Sequence, residues 1–230
     1  MLQNPLQAFA AWGQPAVSAV VITTKPPVTG SYTSKGSAPS SLFDDGAAAD
    51  AGAVTKFARS GTDGQNMAEL PGVHYHCSAA HLNVASTTFC KAVSGGWAGS
   101  KPQADGRRYI VVQDWDETAL LILLRILHLR NRQVPRTIDL ETLAKLAVLV
   151  DYYDCTEAVE TYTTSWIASA VSSSPVPTSY CRELILWLCI STVFRSKSEF
   201  DAASQVAVRC SNDPVLRTLN LPIPVVVTST

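Results

Sequence analysis

The chain has 230 residues, of which 47% are hydrophobic and 16% charged, and its formal net charge is −1. That apolar share suits a folded globular protein, and so little charge excludes a coiled coil or a charge-driven disordered chain. A near-neutral balance also lacks the basic field that would hold a nucleic-acid backbone without regard to sequence. The length exceeds one ordinary domain, and the composition is uneven, which predicts one domain with extensions.

Residues 1–67 are rich in Ala, Gly, Ser, Thr and Pro, as at Pro26-Pro27 and in the small-residue run from Gly46 to Gly52. Ordering such a stretch costs about 1–2 kcal/mol per residue, with little burial to offset it. The expectation is a low-complexity, disordered N-terminal tail. Within it, Val17–Ile22 alone has the composition of a strand or a docking peptide. Met1–Pro5 has no basic residue, and Gly13 and Pro15 interrupt the mild apolar stretch that follows, so no signal peptide is expected.

The texture changes at Val73. Val73, Tyr75 and Cys77 alternate with His74 and His76, the period-two pattern of a half-buried strand. Ser78 to Ser86 reads as a short helix with Leu82 and Ala85 inward. Ser86 is a good N-cap for a second helix carrying Phe89, Cys90 and Val93, which Gly95-Gly96 stops. Residues 101–107 form a loop, and β-branched Tyr109–Gln113 a strand. Asp114 or Asp116 caps a helix from about Glu117 to Leu129, apolar nearly all round and therefore central to the core. Its acidic start and basic end (Arg130, Arg132) suit the helix dipole.

Pro135 marks a turn, after which Asp139 caps a helix with Leu140, Leu143, Leu146, Ala147 and Val150 inward. A break at Asp154–Thr156 leads to a helix with Val159, Tyr162, Trp166 and Ala170 on one face. Ser172–Pro177 is a linker. Two more helices follow, at about Tyr180–Phe194 and Lys197–Arg209, and Leu219–Pro224 is extended. Strand, two short helices, strand, then longer helices is an α+β pattern, a small sheet buttressed by helices.

Six cysteines are present, none in a Cys-x-x-Cys pair, and all lie in apolar or helical stretches. This predicts free thiols in a reducing compartment, with a cytoplasmic or nuclear location. The longest strongly apolar run, Ala119–Leu129, is broken by Arg125 and His128 and is too short to span a bilayer.

Several constellations invite a chemical reading. His74, His76, Cys77 and His81 lie close together, but zinc requires four tetrahedral ligands, and Cys77 points to the face opposite the two strand histidines. Cys77, Cys90 and Cys155 are conceivable nucleophiles, though nothing in the sequence lowers a thiol pKa. Asp114, Asp116 and Glu117 read as a capped helix start, and Arg130, Arg132 and Arg136 as a dipole complement with a solvated turn. No phosphate loop or nucleophile elbow occurs. The expectation is a non-enzyme with no catalytic, cofactor-binding or metal-binding residues and no cofactor.

Taken together, Ser78-Ala-Ala-His81-Leu, Ala85-Ser86, Phe89 and Gly95-Gly96-Trp97 resemble the front half of BTB/POZ domains. Asp114–His128 resembles the next strand-to-helix segment of that family. Val134-Pro-Arg136 with Leu140–Cys155 resembles a form of the domain common in filamentous fungi. The likeness covers about residues 73–224 and is strongest over 108–167. It implies a BTB/POZ-like domain over 68–171 and a C-terminal helical extension over 178–224. It also implies a protein-interaction module, oligomerising or recruiting a partner, with itself (as a homodimer) or a cullin as the partner. A role as substrate adaptor for a cullin-type ubiquitin ligase follows from the latter. The alternatives are a transcriptional or chromatin regulator acting through a protein partner, and a thiol-based enzyme. No direct nucleic-acid contact, membrane or small-molecule substrate is expected. The chain departs from the family at one place. The family opens with an apolar strand just before the one at Val73, whereas Thr62–Leu70 is polar. That strand is absent, displaced to Val17–Ile22, or lost to a faulty gene model.

Overall fold

The structure, a computed structural model, describes residues 19–24, 72–95, 101–112, 114–210, 221 and 223. Its organising element is a strand from the N-terminal stretch. β1 (Ala19–Thr24) lies between β2 (His74–Ser78) and β3 (Arg108–Val112), antiparallel to the first and parallel to the second. Val20, Val21 and Ile22 are at most 1% exposed, as befits a β-branched run covered on both faces.

For Ala19–Thr24 this corrects the expectation of a disordered tail, because these residues are the middle of the sheet, and the rest of residues 1–67 lies outside the described residues. The strand starts two residues beyond the start of Val17–Ile22, the stretch whose composition suggested one. Thr62–Leu70 lies outside the described residues. Thr24 and Val73 close the hairpin although they stand 49 positions apart, with Val73 N–H donating to Thr24 Oγ1 at 3.2 Å. Thr24 N–H returns a bond to Val73 O at 3.0 Å. Closing so long a connection is tolerable, since each doubling of loop length adds only about 0.6 kcal/mol.

Register then assigns the faces. Val20 pairs with Cys77 and Ile22 with Tyr75, while Ile22 and Thr24 pair with Ile110 and Val112 on the other side. That face joins the main core, and His74 and His76 fall on the opposite one, as the alternation predicts.

Seven helices outnumber the three strands among the described residues. α1 (Ala79–Ala85) and α2 (Thr87–Ser94) form a hairpin hinged at Ser86, whose side chain accepts from Phe89 N–H at 3.0 Å. The same hydroxyl donates to Tyr153 O, and Phe89 stacks on Tyr153 with ring centroids 4.2 Å apart. α3 (Glu117–Leu127) is capped by Asp116 and buries seven of its residues, Leu120 and Leu123 completely. α4 (Leu140–Tyr153) is capped by Asp139, which accepts from Thr142 N–H at 2.8 Å.

α5 (Thr156–Ser173) turns Val159, Trp166 and Ala170 inward, and Trp166 Nε1–H donates to Pro135 O at 2.9 Å. α6 (Arg182–Val193) is buried all round from Leu184 to Ser191 and packs on α4. Arg182 fixes that contact, its Nη2 donating to both carboxylate oxygens of Glu141, at 2.7 and 3.0 Å. α7 (Lys197–Cys210) lies on α6, and Leu221 and Ile223 enter the same core. No described helix is long and apolar enough to cross a membrane.

Three helices end in one motif. After α3, Leu129 N–H bonds Ile126 O and Arg130 N–H bonds Arg125 O. After α4 the pairs are Asp154 to Asp151 and Cys155 to Val150, and after α6 Arg195 to Thr192 and Ser196 to Ser191. These are the paired six-to-one and five-to-two bonds of a Schellman end. The left-handed residue, glycine in most proteins, is here Leu129 (φ 56), Asp154 (φ 48) and Arg195 (φ 55).

Candidate interaction surface

The residue groups with chemical potential are spread apart by the fold. His74 and His76 share the outer face of β2, where Nδ1 of His74 lies 3.0 Å from Thr23 Oγ1 and His76 is exposed. Cys77 points into the core from the other face, and burial pushes its thiol up to about 12. His81 sits on α1. Among the described residues, no group of three or more His, Cys, Asp or Glu side chains is arranged to hold a metal ion.

Cys155 is buried, donates to Val150 O, and is likewise pushed up to about 12 by burial and then by Asp154. Cys90 is half-buried on α2. The carboxylates have separate structural tasks. Asp116 caps α3 through Ala119 N–H at 2.9 Å and pairs with Lys145 at 2.9 Å. Glu117 accepts from Thr24 Oγ1 at 3.3 Å, and Asp114 is exposed with φ 62. Arg130, Arg132 and Arg136 are exposed on the segment after α3.

A shallow, open concavity of about 450 Å³ lies between α3, α4 and α5, lined by Thr118, Ile122, Ile138, Thr142, Ser169 and neighbours. It holds one ionisable group, Asp139, already committed to its cap.

A different surface, marked by no sequence motif, lies on the outer side of α1. On α1, Ala80, His81 and Val84 face away from the core, and Val84 is 90% exposed. His81 stacks on His128, the cap residue of α3, with centroids 5.4 Å apart and planes 24° from parallel. The next residue, Leu129, is 72% exposed. The histidine pair therefore joins two elements, each presenting a large apolar side chain to solvent.

His128 is held at both nitrogens. Nδ1 lies 2.8 Å from Leu124 O, and Nε2 accepts from Ser78 N–H at 2.9 Å. A carbonyl can only accept, so Nδ1 carries the hydrogen and Nε2 the lone pair, which makes the ring neutral. Burial is the main cause that lowers its pKa below the ordinary 6.5. His81 and Arg130 add to it, against the opposing effect of the Leu124 carbonyl.

No family model matches the chain, and no curated protein matches it either. The sequence signal for this surface was thin: a histidine ending an apolar helix, followed by a leucine where a helix stop favours glycine.

Proposed function

We propose that the chain is a protein-interaction module of the BTB/POZ type that self-associates through the α1 face. The observation that carries this reading is Leu129. An exposed leucine alone means little. This one stands in a left-handed conformation that costs an L-residue about 1–2 kcal/mol, and its side chain recovers little of that by burial. Strain that local packing does not repay concentrates at functional positions. Val84, one helical turn from His81, is a second exposed apolar side chain, on the helix that the histidine pair joins to the end of α3.

The order of elements supports the reading further. A hairpin leads into a short helical pair, a parallel third strand and then the long helices, with the first strand drawn from further upstream than the family's opening strand. The concavity between α3, α4 and α5 is the second surface of interest, the one where comparable helices would take a cullin-type scaffold.

The test is light scattering coupled to size-exclusion chromatography. The wild-type chain is expected above monomer mass, and Val84→Asp with Leu129→Asp is expected to return it to monomer. Both side chains are exposed, and Asp tolerates the left-handed backbone at position 129, so neither change should destabilise the fold by more than about 0.5 kcal/mol. A wild-type chain that stays monomeric across the micromolar range refutes self-association.

A further inference from the structure

We propose that His128 is a proton-operated latch that fastens the start of α1 to the end of α3, and that acidification releases α1 and with it the interaction face. The regulatory half of this inference rests on reading the α1 face as an interaction surface; the latch itself does not.

The argument is one of donors and acceptors. Ser78 is the N-cap of α1, and its side chain makes no capping bond. Its backbone N–H is instead taken by Nε2 of His128, on an element 50 positions away. The other nitrogen is engaged by Leu124 O, so the ring bridges α3 and the β2–α1 junction only as the neutral Nδ1–H form. A proton added at Nε2 makes both nitrogens donors. The N–H of Ser78 and the new N–H then face each other, and a donor loses its acceptor at a part-buried site.

The surroundings favour release over accommodation. From α1 the ring faces His81, and from the segment after α3 it faces Arg130. β2 contributes the Ser78 backbone, and Arg125 on α3 donates to Gln133 O. No carboxylate contributes to the field at His128 among the described residues. An imidazolium formed here meets the Arg130 guanidinium and, among the described residues, no counter-charge.

The folded ring binds its proton less readily than a free imidazole. The contribution of the bond is therefore complete above the ordinary value of 6.5 and is lost as the pH falls below it toward the folded value.

Hydrogen exchange of the full chain, corrected for intrinsic rates, tests the latch between about pH 7.5 and about pH 5.5. Protection at Ser78 and along α1 is expected to fall about tenfold per pH unit once below the free-imidazole value. His128→Gln keeps one acceptor and one donor without titrating, and its protection is expected to be flat. Ring nitrogen shifts of the wild-type protein give a readout independent of any variant, and the Nδ1–H tautomer is expected at neutral pH.

Flat protection in the wild type, the other tautomer, or equal pH dependence in His128→Gln overturns the latch. Light scattering at both pH values separates the two claims. A chain that is monomeric throughout while α1 opens on acidification leaves the latch standing and refutes the interaction reading. Self-association that is unchanged while α1 opens overturns the coupling between them.

Discussion

A chain beginning at residue 68 distinguishes a dispensable tail from a structural N-terminal segment. It removes β1, whose Val20, Val21 and Ile22 are 0%, 1% and 0% exposed. Full burial of such side chains is worth about 1.5–3 kcal/mol each, so the three together contribute about 5–9 kcal/mol. A domain's whole stability is about 5–15 kcal/mol. The loss is compounded because β2 and β3 each pair with β1 and not with each other. The shortened chain is therefore expected to show no cooperative transition in a circular-dichroism melt. Ile22→Ala in the full chain gives the graded version. It should lower stability by about 2–5 kcal/mol, read as a lower urea midpoint at unchanged slope. A chain from residue 68 that melts cooperatively at the full-length temperature would refute the reasoning, because the sheet would then not depend on its central strand.

Leu129→Gly should raise stability by about 1 kcal/mol by relieving the left-handed backbone, while weakening self-association; a loss of stability would show that the leucine is not strained. Burial works to raise the pKa of Asp116, but the Ala119 N–H and the Lys145 ammonium outweigh it and hold the carboxyl below its ordinary range. Its contribution is complete above the ordinary carboxylate value and is lost as the pH falls toward the folded value. Asp116→Asn keeps a capping side chain, so urea titrations at falling pH should show a shallower acid loss than in the wild type. Native-state thiol labelling should modify exposed Cys210 first and leave Cys77, Cys155 and Cys189 unreacted until the chain unfolds, since burial pushes all three up to about 12. Fast labelling of any of those three would revive the thiol-enzyme alternative.

The helices were legible because their signals are local. Ser86, Asp116 and Asp139 each accept the N–H three residues on, as capping residues should. The apolar spacings of α3 and α4 place the inward residues correctly, and the all-round burial of α6 follows from its unbroken apolar run. β1 was harder to place for two physical reasons. Covered on both faces, it lacks the alternation that marks a half-buried strand, and its partner lies 49 positions away with no short turn between. A hairpin closed over so long a stretch leaves no turn residue to read. Val17–Ile22 had the right composition, but only pairing with both β2 and β3 makes Ala19–Thr24 a central strand.

The α1 face was illegible for a related reason: helix ends and tautomers are decided by tertiary partners. Glycine is the residue from which a left-handed helix stop is read, yet Gly95, which ends α2, has φ −74 and makes no use of that freedom. Among the described residues, the left-handed helix stops are Leu129, Asp154 and Arg195. Asp tolerates the conformation through its short polar side chain, and Asp154 is engaged by Thr87 Oγ1 at 2.6 Å. Leu129 has neither device and is 72% exposed. The His128 ring bonds both the Leu124 carbonyl and the first amide of the α1 cap. That fixes where α3 stops, and so obliges the next residue to turn outward. A glycine there would serve the backbone better. On the proposal that a second copy of the chain covers this leucine, its backbone cost is offset in the assembly, and the stability of the α3 end should then rise with self-association.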